Sequence, residues 1–154
     1  MKISSLLHSD HILYDLEAGS KSSLIPKLVE PLRDDLGSEC SEKVLKAVLE
    51  REEVMSTGVG KGLAIPHAKL EAVEENIAVF ARLKKPVEYG SIDGKPVEIV
   101  FLLVGPHDKA SIHIKMLSRI SRMMNNDQFR NQLLQASSAE EIKQLFEEEE
   151  NLPA

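Results

Sequence analysis

The sequence predicts an α/β domain in which strands and helices pack in layers. Segments with the composition of strands alternate with segments of helical patterning, and the last third of the chain is helical in pattern throughout. The segment "VEIVFLLV" is apolar at nearly every position, which indicates a strand covered on both of its faces. The length of 154 residues fits a single domain across 1–154.

The chain begins with a short predicted strand, "HILYDL", which is followed by a segment of helical composition from Ser20 to Asp35. Leucines spaced four residues apart form the buried stripe of this helix. Pro26 fits a first helical turn, whereas Pro31 would cost about 3 kcal/mol in the middle of a helix. We therefore expect a kink or an early end near Pro31.

A second helix is predicted from Glu42 to Met55, with Ser41 as its N-cap. Its buried face, at helical spacing, comprises Val44, Leu45, Val48 and Leu49. Two strands are then predicted from β-branched and aromatic composition, "NIAVFARL" and "VEIVFLLV". The segment between these strands, "SIDGKP", contains the Asp-Gly pair typical of a tight turn.

After "GPHDKAS" the pattern is helical to the end of the chain. One apolar stripe comprises His113, Leu117, Ile120 and Met124. The segment "NND" separates this helix from "QFRNQLLQA", and Ser138 with Glu141 predicts a capping box for the last helix. We expect the core of the domain to span about 12–146 and the acidic end, 147–154, to fray.

Composition and charge exclude several classes of protein. The formal net charge of −6 disfavours binding to nucleic acid, which depends on neutralising phosphates. No stretch approaches the roughly 18 apolar residues of a membrane span. The segment "MKISSLLHSD" contains too few apolar residues for a signal peptide. Cys40 is the single cysteine, so it forms no intrachain disulfide. The cytoplasm is therefore the expected compartment.

The segment "TGVGKGLAIPHAK", residues 57–69, contains three glycines and a lysine, but it is not a nucleotide-binding loop. A phosphate loop requires G-x-x-x-x-G-K-[ST], and here Gly62 follows Lys61 while Met55 takes the place of the first glycine. The dinucleotide fingerprint G-x-G-x-x-G also fails, because Leu63 stands where its third glycine belongs.

The same segment has a second interpretation, in which the glycines lead to a reactive His67. Glycines allow left-handed backbone and close approach, and Pro66 stiffens the chain just before the histidine. Leu63–Ile65 is predicted to form a short strand edge. A neutral imidazole is a good nucleophile near pH 7, and it can accept a phosphoryl group on one ring nitrogen. These residues alone leave open the alternative that His67 is an ordinary polar residue in a turn.

The extended block "REEVMSTGVGKGLAIPHAK" resembles the active-site signature of the type-2 enzyme IIA domains of the bacterial phosphotransferase system (PTS), the mannitol/fructose/nitrogen group. The matching positions are Arg51, Ser56, Thr57, Pro66 and His67. The segment "SIHIKMLSRISRMM" resembles the second histidine block of the family. The segment "SIDGKPVEIVFLLVGP" resembles the strand before that block, especially in the nitrogen-regulatory branch. The resemblance extends from about Ile12 to Phe146, and it implies a single-domain α/β sandwich in which a mixed β-sheet is flanked by helices on both faces.

The resemblance implies specific roles for these residues. His67 would be the phosphorylated nucleophile through its Nε2 atom, with neither a metal nor a cofactor. His113, near a helix start that Ser111 or Asp108 would cap, would face His67 and bind the phosphoryl oxygens. Arg51 would neutralise phosphoryl charge or simply complement a helix end.

Two further side chains in the block have two open interpretations. Ser56 and Thr57 would either donate hydroxyl groups to the phosphoryl group or only cap and turn the loop. Lys61 and Lys69 flank the site, and we expect them to be solvated rather than to attract an anion.

The chain departs from the family pattern at a few positions. Ala68 replaces the usual glycine after the histidine, and Pro26 and Pro31 are unexpected in the first helix. The remaining histidines match no metal-binding spacing and are predicted to lie at the surface; they are His8, His11 and His107.

The predicted function is that of a phosphocarrier that accepts a phosphoryl group on His67 from a phosphorylated HPr-like protein. A nitrogen-regulatory role is favoured, in which a target protein would respond to the phosphorylation state. The alternatives are a sugar-specific IIA component that passes phosphate to a IIB domain, and a non-catalytic interaction module. We expect an exposed apolar surface around His67 to dock the donor in a transient complex.

Overall fold

Six strands and six α-helices form the part of the chain that the computed structural model describes, residues 2–151. The strands are β1 (Ile12–Leu16), β2 (Gly58–Gly60), β3 (Leu63–Ala64), β4 (His67–Leu70), β5 (Ile77–Val87) and β6 (Val97–Pro106). The helices are α1 (Lys21–Val29), α2 (Arg33–Leu36), α3 (Ser38–Val54), α4 (Ala110–Met124), α5 (Asp127–Gln135) and α6 (Ala139–Asn151). Short 3-10 helices lie at Ile3–Leu6, Ser9–His11 and Glu30–Leu32.

The strands form one mixed sheet with the order β1-β5-β6-β3-β2. Strands β5 and β6 are antiparallel, whereas β1 runs parallel to β5, and β3 and β4 run parallel to β6. Because β5 occupies one edge of β6, β3 and β4 share the other edge in succession, opposite Ile99–Val100 and Leu103–Pro106. The strand predicted around Leu63 is present, but it lies between β2 and β6 rather than at a sheet edge.

Strand β6 separates two apolar cores. Its residues Ile99, Phe101 and Leu103 join a core with α4, α5, α6 and the N-terminal 3-10 helix. The intervening residues, Val100, Leu102 and Val104, join a core with α1 and α3 on the opposite face. The alternation has the period of 2 expected for a strand covered on both faces. The predicted fold class, a mixed sheet with helices on both faces, is confirmed.

Helix α1 begins at a capping box and ends before Pro31. Ser20 accepts a hydrogen bond from the backbone of Ser23, whose side chain in turn accepts one from the backbone of Ser20. The chain tightens into the 3-10 helix at Glu30–Leu32, so the expected interruption near Pro31 is confirmed. Pro26 is the sixth residue of α1 and therefore lies in the second turn rather than the first.

Helix α3 begins at Ser38, so the predicted boundary at Glu42 and the predicted N-cap Ser41 are wrong. Gly37 has a φ of +84°, a conformation that glycine adopts readily, and it alone connects α2 to α3. The chain is therefore already helical at Ser41, whose Oγ donates a hydrogen bond to the carbonyl oxygen of Ser38. On the predicted buried face, Leu49 is 38% exposed at the helix surface.

Hydrogen bonds hold both ends of the last helix, α6. Oγ of Ser138 accepts a hydrogen bond from the backbone of Glu141, as predicted, but the Glu141 carboxylate binds the backbone N–H of Ser137 instead of closing the box. The acidic end is helical as far as Asn151, and Glu150 accepts hydrogen bonds from the N–H groups of Ile3 and Ser4. The last three residues of the predicted frayed end, 152–154, lie outside the described residues.

No helix within residues 2–151 is both long enough and apolar enough to cross a membrane. The longest helix, α3, carries charged residues along its exposed side.

Four phenylalanines form the centre of the core beneath α4–α6. Phe146 of α6 lies edge-on against Phe129, Phe80 and Phe101, with ring centroids 5.1, 5.3 and 5.8 Å away. Edge-to-face contacts at these separations are favourable for aromatic pairs. Phe146 therefore ties the last helix to the two central strands.

We predict that Phe146→Ala lowers the free energy of unfolding by about 3–5 kcal/mol, because it leaves a cavity among three aromatic rings. The measurement is urea denaturation followed by circular dichroism. Ile92→Ala is the matched control, since Ile92 is 86% exposed in the β5–β6 connection and its truncation should change stability by less than about 0.5 kcal/mol. Equal effects of the two substitutions would contradict the assignment of Phe146 to the core.

Candidate functional site

The glycine-rich segment forms a tight β2–β3 connection rather than a phosphate loop. Gly60, Lys61 and Gly62 have φ values of +98°, +57° and +77°, so the chain reverses through three successive left-handed residues. Asp93 accepts a hydrogen bond from the backbone N–H of Lys61 and holds this turn. A Cβ at Gly58 would overlap the side chain of Ser91, so this glycine permits a close approach to the β5–β6 connection.

His67 is the first residue of β4, on the face of the sheet that α4 covers. It pairs with Leu103 of β6, a residue of the core under α4. The carbonyl oxygen of Pro66 accepts a hydrogen bond from the backbone of Leu103, which fixes the chain just before the histidine. Ala68, which replaces the usual family glycine, has no positive φ and packs in the opposite core, so the replacement causes no strain here.

The ring of His67 is oriented by a backbone carbonyl. Its Nδ1 lies 2.9 Å from the carbonyl oxygen of Ile65, and a carbonyl only accepts, so Nδ1 carries the proton. In the neutral ring Nε2 then has a free electron pair. The pKa of His67 is lowered overall, and burial is the largest cause. The hydrogen bond to Ile65 raises the pKa, whereas the charges of Arg51 and Lys69 lower it further. The imidazole is therefore neutral at pH 7.

His113 faces His67 from α4. The two ring centroids are 5.8 Å apart, and His113 is only 2% exposed. Burial, with smaller contributions from His67 and Lys69, lowers the pKa of His113 to about 4. Neither ring nitrogen of His113 has a hydrogen-bond partner in the described part of the chain. The site therefore pairs two neutral imidazoles, and both ring nitrogens of His113 are available for hydrogen bonds.

The predicted caps of α4 are not observed. The N-cap position belongs to Lys109, which makes no side-chain capping bond. Asp108 lies one residue too early, and Ser111 is already the second helical residue, so neither side chain is placed to cap the first turn. His113 is the fourth residue of the helix, and its placement near the helix start is as predicted.

Arg51 lies in the last turn of α3. Its Nη1 donates a hydrogen bond to the carbonyl oxygen of Met55, 2.9 Å away, so one function of the side chain is to close the end of this helix. Its charge also lowers the pKa of His67, which places the guanidinium within electrostatic reach of that ring. The other N–H groups of the guanidinium fork make no hydrogen bond among the described residues.

The hydroxyls of Ser56 and Thr57 are engaged within the loop. Ser56 donates to the carbonyl oxygen of Tyr89 and accepts from the backbone of Gly58. Thr57 is buried, and its hydroxyl donates to the carboxylate of Glu52. In this geometry both side chains shape the loop, which corresponds to the second of the two interpretations left open by the sequence.

Glu52 is a central residue that the sequence analysis missed. Its carboxylate accepts hydrogen bonds from the hydroxyl and N–H of Thr57 and from Oη of Tyr89, and it forms an ion pair with Lys21, 2.8 Å away. Burial raises the pKa of Glu52, but the bonds from Lys21, Thr57 and Tyr89 outweigh burial and lower it overall. Glu52 continues the buried stripe of Val44 and Val48 at a spacing of four, a signal that could have revealed it.

A series of contacts connects Glu52 to His67. Glu52 fixes Thr57, the carbonyl oxygen of Thr57 accepts from the backbone of Ile65, and the carbonyl oxygen of Ile65 accepts from His67. The Thr57–Ile65 bond is 3.0 Å long. The buried carboxylate thus positions the loop whose last carbonyl orients the ring of His67.

The remaining candidates are placed as follows. The Nζ atom of Lys61 binds the side-chain oxygen of Asn125 at the end of α4, 2.7 Å away, whereas Lys69 is exposed and acts on both site histidines by its charge. His8 and His107 are exposed as predicted. The prediction for His11 is wrong: it is buried, with Nε2 2.8 Å from a carboxylate oxygen of Asp35.

No three His, Cys, Asp or Glu side chains within residues 2–151 converge as metal ligands. Exposed apolar side chains lie close in sequence to the site residues, directly after Arg51's helical turn, in β2 and on either side of His113; they are Val54, Met55, Val59, Ile112 and Ile114. The site itself offers a free imidazole nitrogen, a second imidazole and a guanidinium. These are groups suited to accepting an anionic group from another protein.

Comparison with known proteins gives a consistent result. A family model described as "Phosphoenolpyruvate-dependent sugar phosphotransferase system, EIIA 2" matches residues 5–149 of the chain. The nitrogen regulatory protein of Bradyrhizobium diazoefficiens is 34% identical over 142 residues, which cover 92% of this chain and 92% of that protein. The resemblance predicted from the two histidine blocks is confirmed.

A sugar-specific protein and a solved structure are also similar. The PTS system fructose-specific EIIABC component of Bacillus subtilis is 37% identical over 143 residues, which cover 92% of this chain and 22% of that protein. The crystal structure of the nitrogen regulatory protein IIA-Ntr from Neisseria meningitidis has a TM-score of 0.88 at 33% identity, covering 94% of this chain and 98% of that chain.

We predict that Glu52→Gln lowers the free energy of unfolding by about 2 kcal/mol, because Lys21 loses its ion-pair partner and the donors around residue 52 lose an acceptor. Urea denaturation measures the effect. Glu53→Gln is the matched control, since Glu53 is the exposed neighbour on the same helix and should change stability by less than about 0.5 kcal/mol. If the two variants are equally stable, the Glu52 cluster does not hold the loop.

Proposed function

The chain belongs to the EIIA type-2 family of the phosphoenolpyruvate-dependent sugar phosphotransferase system, and from that premise we propose that it carries a phosphoryl group on Nε2 of His67. The donor is a phosphohistidine of an HPr-like carrier protein. The observation that carries the proposal is the bond between Nδ1 of His67 and the carbonyl oxygen of Ile65, which leaves Nε2 free beside His113.

The transfer exchanges one nitrogen–phosphorus bond for another. The electron pair on Nε2 of His67 attacks the phosphorus in line, and the bond from phosphorus to the donor histidine breaks, so that its electron pair returns to the donor ring. No proton has to leave His67, because Nε2 is already unprotonated in the neutral ring. The positive charge that develops on the ring is stabilised at Nδ1–H by the carbonyl oxygen of Ile65.

Arg51 and His113 supply charge and hydrogen bonds to the phosphoryl oxygens in this proposal. The free N–H groups of Arg51 form a fork that suits a phosphoryl group, and its charge already acts on His67. His113 lies across the site with unpartnered ring nitrogens. Phosphoryl transfer depends mainly on such positioning and charge stabilisation.

Ser56 and Thr57 have an indirect role in the proposed mechanism. Their hydroxyls keep their bonds to Tyr89 and Glu52 and hold the loop that orients His67. The other interpretation, in which they donate directly to the phosphoryl group, would require these bonds to break.

Exposed apolar side chains near the site residues support transient docking of the donor. Ile112 and Ile114 are the chain neighbours of His113, Val54 and Met55 follow Arg51 within four residues, and all four are exposed. A carrier that must pass on its phosphate requires a contact that releases quickly, as small interfaces do.

We propose a nitrogen-regulatory role as the first candidate, since several of the similar proteins that this chain matches over nearly their whole length are nitrogen regulatory proteins. The target would then bind in a manner that depends on the phosphorylation of His67. The second candidate is a sugar-specific role with transfer to a IIB domain, which the 37% identity to a fructose-specific EIIABC component favours.

We predict that the protein gains the mass of one phosphoryl group when it is incubated with phosphoenolpyruvate, enzyme I and an HPr-like carrier. His67→Ala should abolish the gain, because it removes the accepting nitrogen. His107→Ala is the matched control, since His107 is exposed in the loop before α4, and it should be phosphorylated as the wild type is. The measurement is intact-protein mass spectrometry.

The outcomes of this experiment separate the candidates. Unmodified wild-type protein beside a demonstrably phosphorylated carrier would contradict the proposal and favour a non-catalytic interaction module. A gain in mass that persists in His67→Ala would place the phosphoryl group on another residue. Adding a phosphate-accepting IIB domain then distinguishes a sugar-specific role, in which the label leaves the protein, from a regulatory one.

A further inference from the structure

Two neighbouring side chains carry buried polar atoms that have no hydrogen-bond partner within residues 2–151. Asn76 immediately precedes β5, and its Oδ1 is buried without a partner among the described residues. Both ring nitrogens of His113 are also buried and have no partner among these residues. Few buried polar atoms in native proteins remain unsatisfied, so a pair of such groups at a candidate site calls for an explanation.

Gly105 brings these two side chains together. A Cβ at this position would overlap Oδ1 of Asn76 and would lie 3.1 Å from Nδ1 of His113. Gly105 has no positive φ, so the backbone does not demand glycine there. The missing side chain instead provides the space in which the amide of Asn76 and Nδ1 of His113 converge.

We propose that Asn76 is a positioning residue that sets the tautomer of His113, with its Oδ1 accepting a hydrogen bond from Nδ1–H of that ring. The proposal rests on the proposed phosphorylation of His67 for its functional consequence. Oδ1 of Asn76 and Nδ1 of His113 both lie beside Gly105 but do not meet hydrogen-bond geometry in the structure, and the proposal is that they form this bond in solution with or without the phosphoryl group.

The consequence is that Nε2 of His113 is the nitrogen that takes up a proton. When the phosphoryl group arrives on His67, its negative charge favours protonation of the facing imidazole. Nε2 takes a proton from solvent, and the resulting Nε2–H donates to a phosphoryl oxygen while Nδ1–H stays on Asn76. Before phosphorylation, burial, with smaller contributions from His67 and Lys69 of β4, lowers the pKa of His113 and keeps its ring neutral.

Alternatively, Asn76 makes no hydrogen bond to His113 and only fills the space beside Gly105. Shape and electrostatics can be separated, because Asn76→Asp keeps the shape of the side chain and adds a charge. Contact with Nδ1 predicts that this substitution raises the pKa of His113 well above its value of about 4 and retains the Nδ1–H tautomer. If Asn76 only fills space, the added charge would still raise the pKa of His113, but the tautomer of His113 would be the same in the wild type and in Asn76→Ala.

The test measures the tautomer and pKa of His113 by two-bond proton–nitrogen NMR in the unphosphorylated protein, together with the rate of phosphoryl transfer. We expect Nδ1–H in the wild type, a shift toward Nε2–H in Asn76→Ala, and transfer slowed by about tenfold, as expected for one lost hydrogen bond. Asn131→Ala, an exposed asparagine of α5, is the matched control and should resemble the wild type.

Gly105→Ala supplies a second route to the same interaction. It should slow transfer in the wild-type background by displacing Asn76, and it should have a smaller effect in the Asn76→Ala background, where only the 3.1 Å approach to Nδ1 of His113 remains. An Nε2–H tautomer in the wild type, or an unchanged tautomer in both Asn76 variants, would overturn the proposal. The NMR result is independent of phosphorylation, so it decides the role of Asn76 even if His67 accepts no phosphoryl group.

Discussion

The hydrogen bond from Nδ1 of His67 to the carbonyl oxygen of Ile65 is the contact on which the rest of the site depends. It selects the tautomer, fixes the direction of the ring and leaves Nε2 unprotonated. The carbonyl is itself held in place, because Ile65 donates its N–H to Thr57 and the backbone of Pro66 is bound to β6. The backbone of Ile65 and Pro66 thus holds the ring of His67 rigidly, with Nε2 free for reaction.

The buried carboxylate of Glu52 extends that support to the opposite side of the loop. It binds Thr57, Tyr89 and Lys21, so α1, α3 and the start of the β5–β6 connection are all linked to the loop before His67. A buried charge is expensive unless each of its lone pairs is used, and here several donors satisfy it. The same cluster contributes a charge that acts on the pKa of His67. Structural and electrostatic roles therefore coincide in one residue.

The sequence predicted the layers and the strand pattern well, because hydrophobic periodicity survives folding. The runs around Phe80 and Phe101 are strands, and the interruption at Pro31 follows from local sterics. The start of α3 was missed because a single residue, Gly37, connects two helices, and N-cap preference alone favoured Ser41. Boundaries that depend on one left-handed residue are difficult to infer from composition.

The site was only partly predictable for a different reason. His67 and His113 lie in recognisable blocks, and the structure brings their rings to 5.8 Å. Asn76 and Gly105 come together only through the pairing of strands and the position of α4, so no local pattern marks them. The role of the Thr57 hydroxyl stayed open because its partner, Glu52, lies five residues earlier on the otherwise apolar buried stripe of α3.

The measurement that tests the account most directly is nitrogen–phosphorus NMR on the phosphorylated protein with 15N-labelled histidines. The account predicts one phosphorus coupled to Nε2 of His67, with the proton of Nδ1 retained. Coupling to Nδ1 of His67, or to any other histidine, would contradict it, since the carbonyl of Ile65 would then not be what directs the chemistry.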